Sequence, residues 1–256
     1  MRVALTGGAT GIGAALVQKL HDAGNHITVF DITEPSGPAD MWIKTDLSAP
    51  DSITAAVAQA EGTFDALVNN AGLPPREGLR DLILKVNFLG FRAFLEAFDN
   101  KLPAGASIVN TASRAGAMWQ QNLEQVKALM ATDWDNLPAF LAQQDMDATR
   151  AYNLSKEAVI AHTMAKTSYM IETGRRMNCV SPAAVSTGIL DDFTKAFGEK
   201  VARNIARAGR PGSPEEIADI ILFLLSPQSA WIKGQDITID GGMSAMGMTD
   251  MLELPA

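Results

Sequence analysis

Apolar and polar positions along the chain follow two alternating rhythms. Short apolar runs at Val3–Thr6, His26–Phe30, Met41–Ile43, Asp65–Val68, Ser107–Asn110, Arg176–Val180 and Asp236–Ile239 have the length and composition of buried strands. Between them lie longer stretches whose apolar residues recur at helical spacing. Ile12–Ala23 ends at Gly24, a good residue to terminate a helix. A second run opens with Ser48, Pro50 and Asp51, the pattern of a capped N-terminus with proline in its first turn. A third continues through Phe98, and a fourth runs from the Ser213-Pro214-Glu215-Glu216 cap to Leu225, stopped by Ser226-Pro227. Strands alternating with helices predict an α/β fold, a doubly wound parallel sheet of about seven strands with helices on both faces, because parallel neighbours need helical crossovers.

One stretch breaks the rhythm. Residues 114–150 read as a helical insertion of two amphipathic pieces, with Leu123, Val126 and Met130 on one face of the first and Leu137, Phe140 and Leu141 on one face of the second. A further apolar face, Leu190, Phe193 and Phe197 within Ile189–Val201, follows the sixth strand. It is either a wall of a cleft or ordinary packing.

Composition narrows the function classes. At 256 residues the chain suits one large domain, and its 47% hydrophobic content can cover both faces of a buried sheet. A net charge of −8 leaves no basic footprint for nucleic acid. No apolar run reaches the roughly 20 residues that span a bilayer, and a strand begins at once, without the features of a signal peptide. A soluble cytoplasmic protein is expected. The single cysteine, Cys179, lies in an apolar run and reads as packing. His21, His26 and His162 are scattered without metal-ligand spacing, so no catalytic metal is expected.

Two local patterns carry chemistry. The first strand runs into Thr6-Gly7-Gly8-Ala9-Thr10-Gly11-Ile12-Gly13 and then a helix, where glycine lets the backbone approach a pyrophosphate and the helix offers it free N–H groups. Strand, glycine turn and helix together predict a Rossmann-type dinucleotide site. Asp31 closes the second strand, placed to accept hydrogen bonds from the ribose hydroxyls of NAD. No Arg or Lys in residues 7–13 or 32–43 would neutralise the extra phosphate of NADP, so NAD is expected ahead of NADP. The second pattern is Tyr152-Asn153-Leu154-Ser155-Lys156, at the start of a helical run through Met170. Four-residue spacing puts phenol and ammonium on one helix face, and a nearby cation lowers a tyrosine pKa toward working pH. That suits a general acid/base for an alcohol proton. Taken alone, such a pair is also common on surface helices.

With these motifs in order, the chain resembles the short-chain dehydrogenases/reductases over nearly its whole length. The resemblance rests on Thr6–Gly13, Asp46-Leu47, Asn69-Asn70-Ala71-Gly72, Asn87, Ser113, Tyr152–Lys156, Pro214–Ala218 and Asp240–Gly242. It implies a single oxidoreductase domain over 1–256. By the same resemblance Gly7, Thr10, Gly11, Ile12 and Gly13 hold the cofactor phosphates, Asp31 and Ile32 flank its ribose, and Asp46 and Leu47 contact the adenine. Asn70, Ala71 and Gly72 line the cofactor pocket. Ser113 would hydrogen-bond the substrate oxygen, Tyr152 exchange a proton with it, and Lys156 bind the nicotinamide ribose. Asn87 would hold a water linking Lys156 to solvent. The implied activity is interconversion of a secondary or aryl alcohol and its carbonyl compound; the alternatives are an NADP-linked carbonyl reductase and a catalytically silent dinucleotide-binding regulatory protein.

The sequence departs from the family pattern twice. Pro182-Ala183-Ala184 stands where Pro-Gly is usual, so the loop carrying Val185 and Thr187 beside the nicotinamide is expected to differ slightly. The insertion 114–150 greatly lengthens the interval from Ser113 to Tyr152, as in a subgroup that includes bacterial 3α-hydroxysteroid dehydrogenase/carbonyl reductase and aryl-alcohol dehydrogenases. Its helices would stand beside those that pair in family tetramers, so a homodimer is expected, with a homotetramer as the alternative. A substrate lid is expected over about 186–206. Met118, Trp119, Leu190 and Phe193 would shape an apolar substrate cleft, and a bulky apolar alcohol or ketone is the expected small-molecule partner.

Overall fold

A computed structural model describes residues 1–255, apart from the side chain of Lys200. Seven parallel strands form one sheet: β1 (Arg2–Thr6), β2 (His26–Asp31), β3 (Met41–Lys44), β4 (Ala66–Asn69), β5 (Ser107–Thr111), β6 (Arg176–Pro182) and β7 (Asp236–Ile239). Their spatial order is β3-β2-β1-β4-β5-β6-β7. Alternate side chains enter two cores. From β1, Ala4 enters the core on one face while Val3 and Leu5 enter the core on the other. Both faces are dry, which is why the strands read as unbroken apolar runs.

One face is covered by α1 (Gly11–Asp22) and, from late in the chain, α11 (Pro214–Leu225). The other carries α2 (Pro50–Gln59), the helical run α3 (Arg80–Leu84) through α4 (Phe91–Phe98), and α7 (Ala148–Ala165). The insertion contributes α5 (Leu123–Ala131) and α6 (Leu137–Ala142), whose Val126, Leu129, Leu137, Phe140 and Leu141 are buried in that same core. The predicted face of the second piece is therefore a packing face, whereas in the first the buried pair is Val126 and Leu129 and Leu123 is exposed. The chain continues through α8 (Thr167–Glu172), α9 (Leu190–Phe197), α10 (Glu199–Ala208) and, after β7, α12 (Met243–Leu252).

Four local expectations need correction. The N-cap of α2 is Ala49, with no side-chain cap; Ser48 instead bonds Asp46 through its N–H (2.8 Å) and hydroxyl (2.7 Å). The catalytic-motif helix begins at Ala148, capped by the Asp147 carboxylate on the Arg150 N–H at 2.7 Å, and gives way to α8 after Lys166. The run 189–201 is not one helix, because Gly198 takes φ +60° and ends α9. Finally, Lys85–Gly90, between α3 and α4, is a π-helical turn. Here Gly90 crosses the backbone of Leu47, where a Cβ would lie 2.0 Å from its carbonyl oxygen. The Ser213 cap of α11 is as the sequence reads: a capping box with Glu216, Pro214 in the first turn.

Candidate active site

β1 pairs with β2 on one side and β4 on the other, so connections leave in opposite directions and open a crevice at the strands' C-terminal ends. Both cofactor motifs converge there. A Cβ on Gly13 would lie 1.8 Å from the Gly7 oxygen, and one on Gly7, which has φ +73°, would lie 2.6 Å from the Ala71 Cα. Glycine is required at both. Asn70 ties the two turns: its Nδ2 donates to the Gly7 carbonyl (2.8 Å) and its N–H to the Thr6 hydroxyl (3.1 Å). Thr10 precedes α1 without a side-chain cap, so the N–H groups of Gly11, Ile12 and Gly13 remain for an anion.

The Asp31 carboxylate accepts from the Ala9 N–H (3.0 Å) through one oxygen and from the Thr33 N–H (3.0 Å) through the other. Each oxygen keeps a free lone pair, the acceptor capacity that two ribose hydroxyls require. Ile32 beside it is exposed, while Leu47 is buried. Across the crevice the loop after β6 is held by a bridge from Val185 to Gly212 and by the Ala183 N–H on Ile239 (3.1 Å). Glu253 is the only described non-glycine residue with positive φ, so Ala183 needs no glycine conformation and Pro182 still closes β6. Thr187 stands close to Gly11, its methyl 3.3 Å from where a Cβ there would lie.

Ser113, Tyr152 and Lys156 meet at the end of β5. Lys156 Nζ donates to the Thr111 carbonyl (2.8 Å) and lies 5.8 Å from the centre of the Tyr152 ring. Ser113 caps a short 3₁₀ turn, Arg114–Gly116, by accepting from the Ala115 N–H (3.2 Å). Its hydroxyl hydrogen is not used by that cap. Gly116 packs directly on Lys156, where a Cβ would lie 2.7 Å from backbone. Asn87 sits in the π-helical turn, a distortion often found at functional sites. It accepts from the Leu73 N–H (2.7 Å) and donates to the Leu73 carbonyl (3.0 Å). A Cβ on Gly72 would lie 3.4 Å from both Asn87 Oδ1 and Lys156 Nζ, so these three line one recess.

The electrostatics differ from the sequence expectation. Burial pushes the Tyr152 phenol up to about 12, and only the neighbouring Ser113 hydroxyl pulls it down. Burial also lowers Lys156 to about 8, against a smaller opposing effect of Cys179. The ammonium does not dominate the phenol, because both groups are stripped of water by burial.

Phe193 is the covering residue, its ring edge-on to Tyr152 at 5.3 Å and stacked on Phe197 at 6.3 Å. Trp119, Leu73 and Leu79 are half-buried against the same core, Leu190 is half-buried, and Met118 is exposed. Thr111 escaped sequence reading because a backbone carbonyl has no side-chain signature. So did Arg76 and Asp192, joined by two hydrogen bonds (2.8 and 3.2 Å) across 116 residues.

Comparison with known proteins agrees with this geometry. Residues 2–125 match the short chain dehydrogenase family model, and 136–244 match one described as enoyl-(acyl carrier protein) reductase. The chain is 33% identical to coniferyl-alcohol dehydrogenase of a Pseudomonas strain, covering 95% of this chain and 96% of that one. It is 29% identical to the 3-alpha-hydroxysteroid dehydrogenase/carbonyl reductase of Comamonas testosteroni, over 95% and 96%. The crystal structure of a Pseudomonas 3-alpha-hydroxysteroid dehydrogenase complexed with NADH superposes with a TM-score of 0.84, at 32% identity, covering 96% of this chain and 98% of that one. Motif order, sheet topology and full-length similarity coincide, and the chain belongs to the short-chain dehydrogenase/reductase family, an oxidoreductase of the NAD(P)-binding Rossmann fold.

Proposed function

We propose that the protein is an NAD-dependent dehydrogenase/reductase interconverting a bulky, largely apolar secondary or aryl alcohol and its carbonyl compound. The observation that carries this reading is the meeting of the Ser113 hydroxyl, the Tyr152 phenol and the Lys156 ammonium in one buried recess beside the glycine turn.

The cradle fits a dinucleotide. Gly7, Gly11 and Gly13 admit a pyrophosphate and the first turn of α1 donates to it; Asp31 accepts the adenosine ribose hydroxyls, with Ile32, Asp46 and Leu47 around the adenine. Asn70, Ala71, Gly72, Pro182, Ala183, Val185 and Thr187 bound the nicotinamide end. When bound, the nicotinamide accepts or gives up the hydride. The residues govern the proton. Ser113 donates to the substrate oxygen, and Tyr152 takes the alcohol proton on oxidation or returns it on reduction. Lys156 holds the nicotinamide ribose, and the Ser113 hydroxyl is the neighbour that draws the phenol toward phenolate. Asn87 fixes the Leu73 backbone beside Gly72 and holds a water through which Lys156 exchanges protons. Trp119, Leu190 and Phe193, with the exposed Met118, are the apolar side chains proposed to shape the cleft, which favours aromatic and alicyclic substrates. The coniferyl alcohol and hydroxysteroid relatives support that class.

The test is a panel of aryl, alicyclic and steroid alcohols with NAD, followed by absorbance of the reduced nicotinamide. Tyr152→Phe is expected to lower kcat by at least about 10²-fold, the scale of a lost general acid/base, while cofactor affinity holds. Greater activity on short charged hydroxy acids would overturn the substrate class, and full turnover by Tyr152→Phe the mechanism.

A further inference from the structure

Helix α9 lies over the catalytic recess and touches its opposite wall through one charged pair. Arg76 donates through Nε (3.2 Å) and an η nitrogen (2.8 Å) to the two oxygens of Asp192, a two-pronged geometry that fixes orientation as well as distance. Phe193, the next residue, sets its ring against Tyr152. With the pair closed, Tyr152 is only 5% exposed. Phe193 therefore covers one side of the Tyr152 ring and narrows the approach of a substrate to it.

The two sides of the pair are built differently. Arg76 follows Pro74 and Pro75, both buried, and the Leu73 backbone before them is gripped at N–H and carbonyl by Asn87. That side is rigid. Helix α9 lies between Gly188 and Gly198, at neither of which would a Cβ meet a neighbour within 4 Å, and none of its residues is fully buried. A short, half-buried helix between two uncrowded glycines can swing with little packing lost.

Resting on the active site proposed above, we infer that Arg76 and Asp192 form a latch, positioning residues that hold α9 closed with Phe193 on Tyr152 and so set the access of substrate to the phenol. Neither is a catalytic residue, and the pair acts through Phe193. Partly exposed ion pairs are weak, so the latch biases the lid rather than locking it, by about three- to fivefold in open population.

Lys195 is exposed on α9 and provides a readout independent of turnover. Tryptic cleavage after Lys195, quantified by mass spectrometry on the folded enzyme, is expected to quicken about three- to fivefold in Asp192→Asn and in Arg76→Gln. The reversed pair, Arg76→Asp with Asp192→Arg, is expected to restore slow cleavage. Raising salt should quicken cleavage in the parent and not in the doubly neutral Arg76→Gln/Asp192→Asn protein. In turnover, both single variants should shift KM for the alcohol while kcat is held or raised. Unchanged cleavage in the single variants, a reversed pair as labile as they are, or equal salt response in parent and neutral protein would each overturn the latch. Tyr152→Phe keeps the ring contact and should leave cleavage at Lys195 unchanged, so the mechanism and the latch fail separately.

Discussion

Burial moves the two central groups in opposite directions, the Tyr152 phenol up to about 12 and Lys156 down to about 8. Each move disfavours the charged form of the group. For Lys156 the consequence is measurable as stability. The unfolded chain keeps the lysine proton up to its ordinary value of 10.5, while the folded protein releases it near 8. Between those values the unfolded state binds more protons, so stability rises with pH. Cys179, pushed upward by burial, works in the opposite sense above its ordinary value of 9.0, which leaves pH 8 to 9 as the clean window. Urea midpoints should increase across that window in the parent protein, and in Lys156→Met the increase should shrink or vanish. Asp31 gives a second test at this scale. Losing two charge-assisted hydrogen bonds, Asp31→Ala should weaken NAD binding by at least about tenfold and narrow its preference over NADP. Titration by nicotinamide fluorescence with each cofactor checks both. Tyr152, Lys156 and Asp31 could be singled out as candidates in the sequence because each sits in a local motif. The shifts of Tyr152 and Lys156 could not be read there, since burial depends on residues distant in the chain, Phe193 against Tyr152 among them.

At the scale of elements, the insertion is fastened to the catalytic helix by a buried polar network. Glu157, one residue after Lys156 and 1% exposed, accepts from both η nitrogens of Arg150 (2.9 and 2.7 Å) and from Asn122 Nδ2 (2.8 Å). Arg150 reaches onward to Gln125 on α5. The network joins α5 and the turn before it to α7, so the insertion helps hold the face that presents Tyr152 and Lys156. Glu157→Ala leaves Arg150 facing a void in a poorly solvated site and should cost about 3 kcal/mol, the lower end for breaking a buried pair. Chemical denaturation measures it, and a loss below about 1 kcal/mol would place the pair among weak surface bridges. Helicity in 114–150 could be read from spacing alone. The network could not, because Asn122, Gln125, Arg150 and Glu157 share no periodic pattern.

For the whole molecule, the insertion also reaches α4, through one side chain. Arg92 on α4 donates to the Thr132 carbonyl (2.7 Å) and to the Met130 carbonyl (2.6 Å), closing the C-terminal end of α5. Helix α5 packs against α7 as well. With α7 covered by α5 from within the chain, we propose that pairing of that helix with a second copy is displaced and that a homodimer forms through another surface. Light scattering with size-exclusion chromatography should return twice the 27.3 kDa chain mass, and a compact tetramer would refute the proposal.

The sequence by itself determined the alternation of strands and helices, the glycine turn, and the phenol–ammonium pair, because each follows from contacts within a few residues or one helical turn. Tertiary structure alone decided what brings Ser113 to Tyr152, which carbonyl accepts the Lys156 hydrogen bond, and that Phe193 packs on the Tyr152 ring with Arg76 on Asp192. Those partners lie 39 to 116 residues apart and carry no periodicity, so only the folded sheet and its crossovers bring them within hydrogen-bonding and packing range.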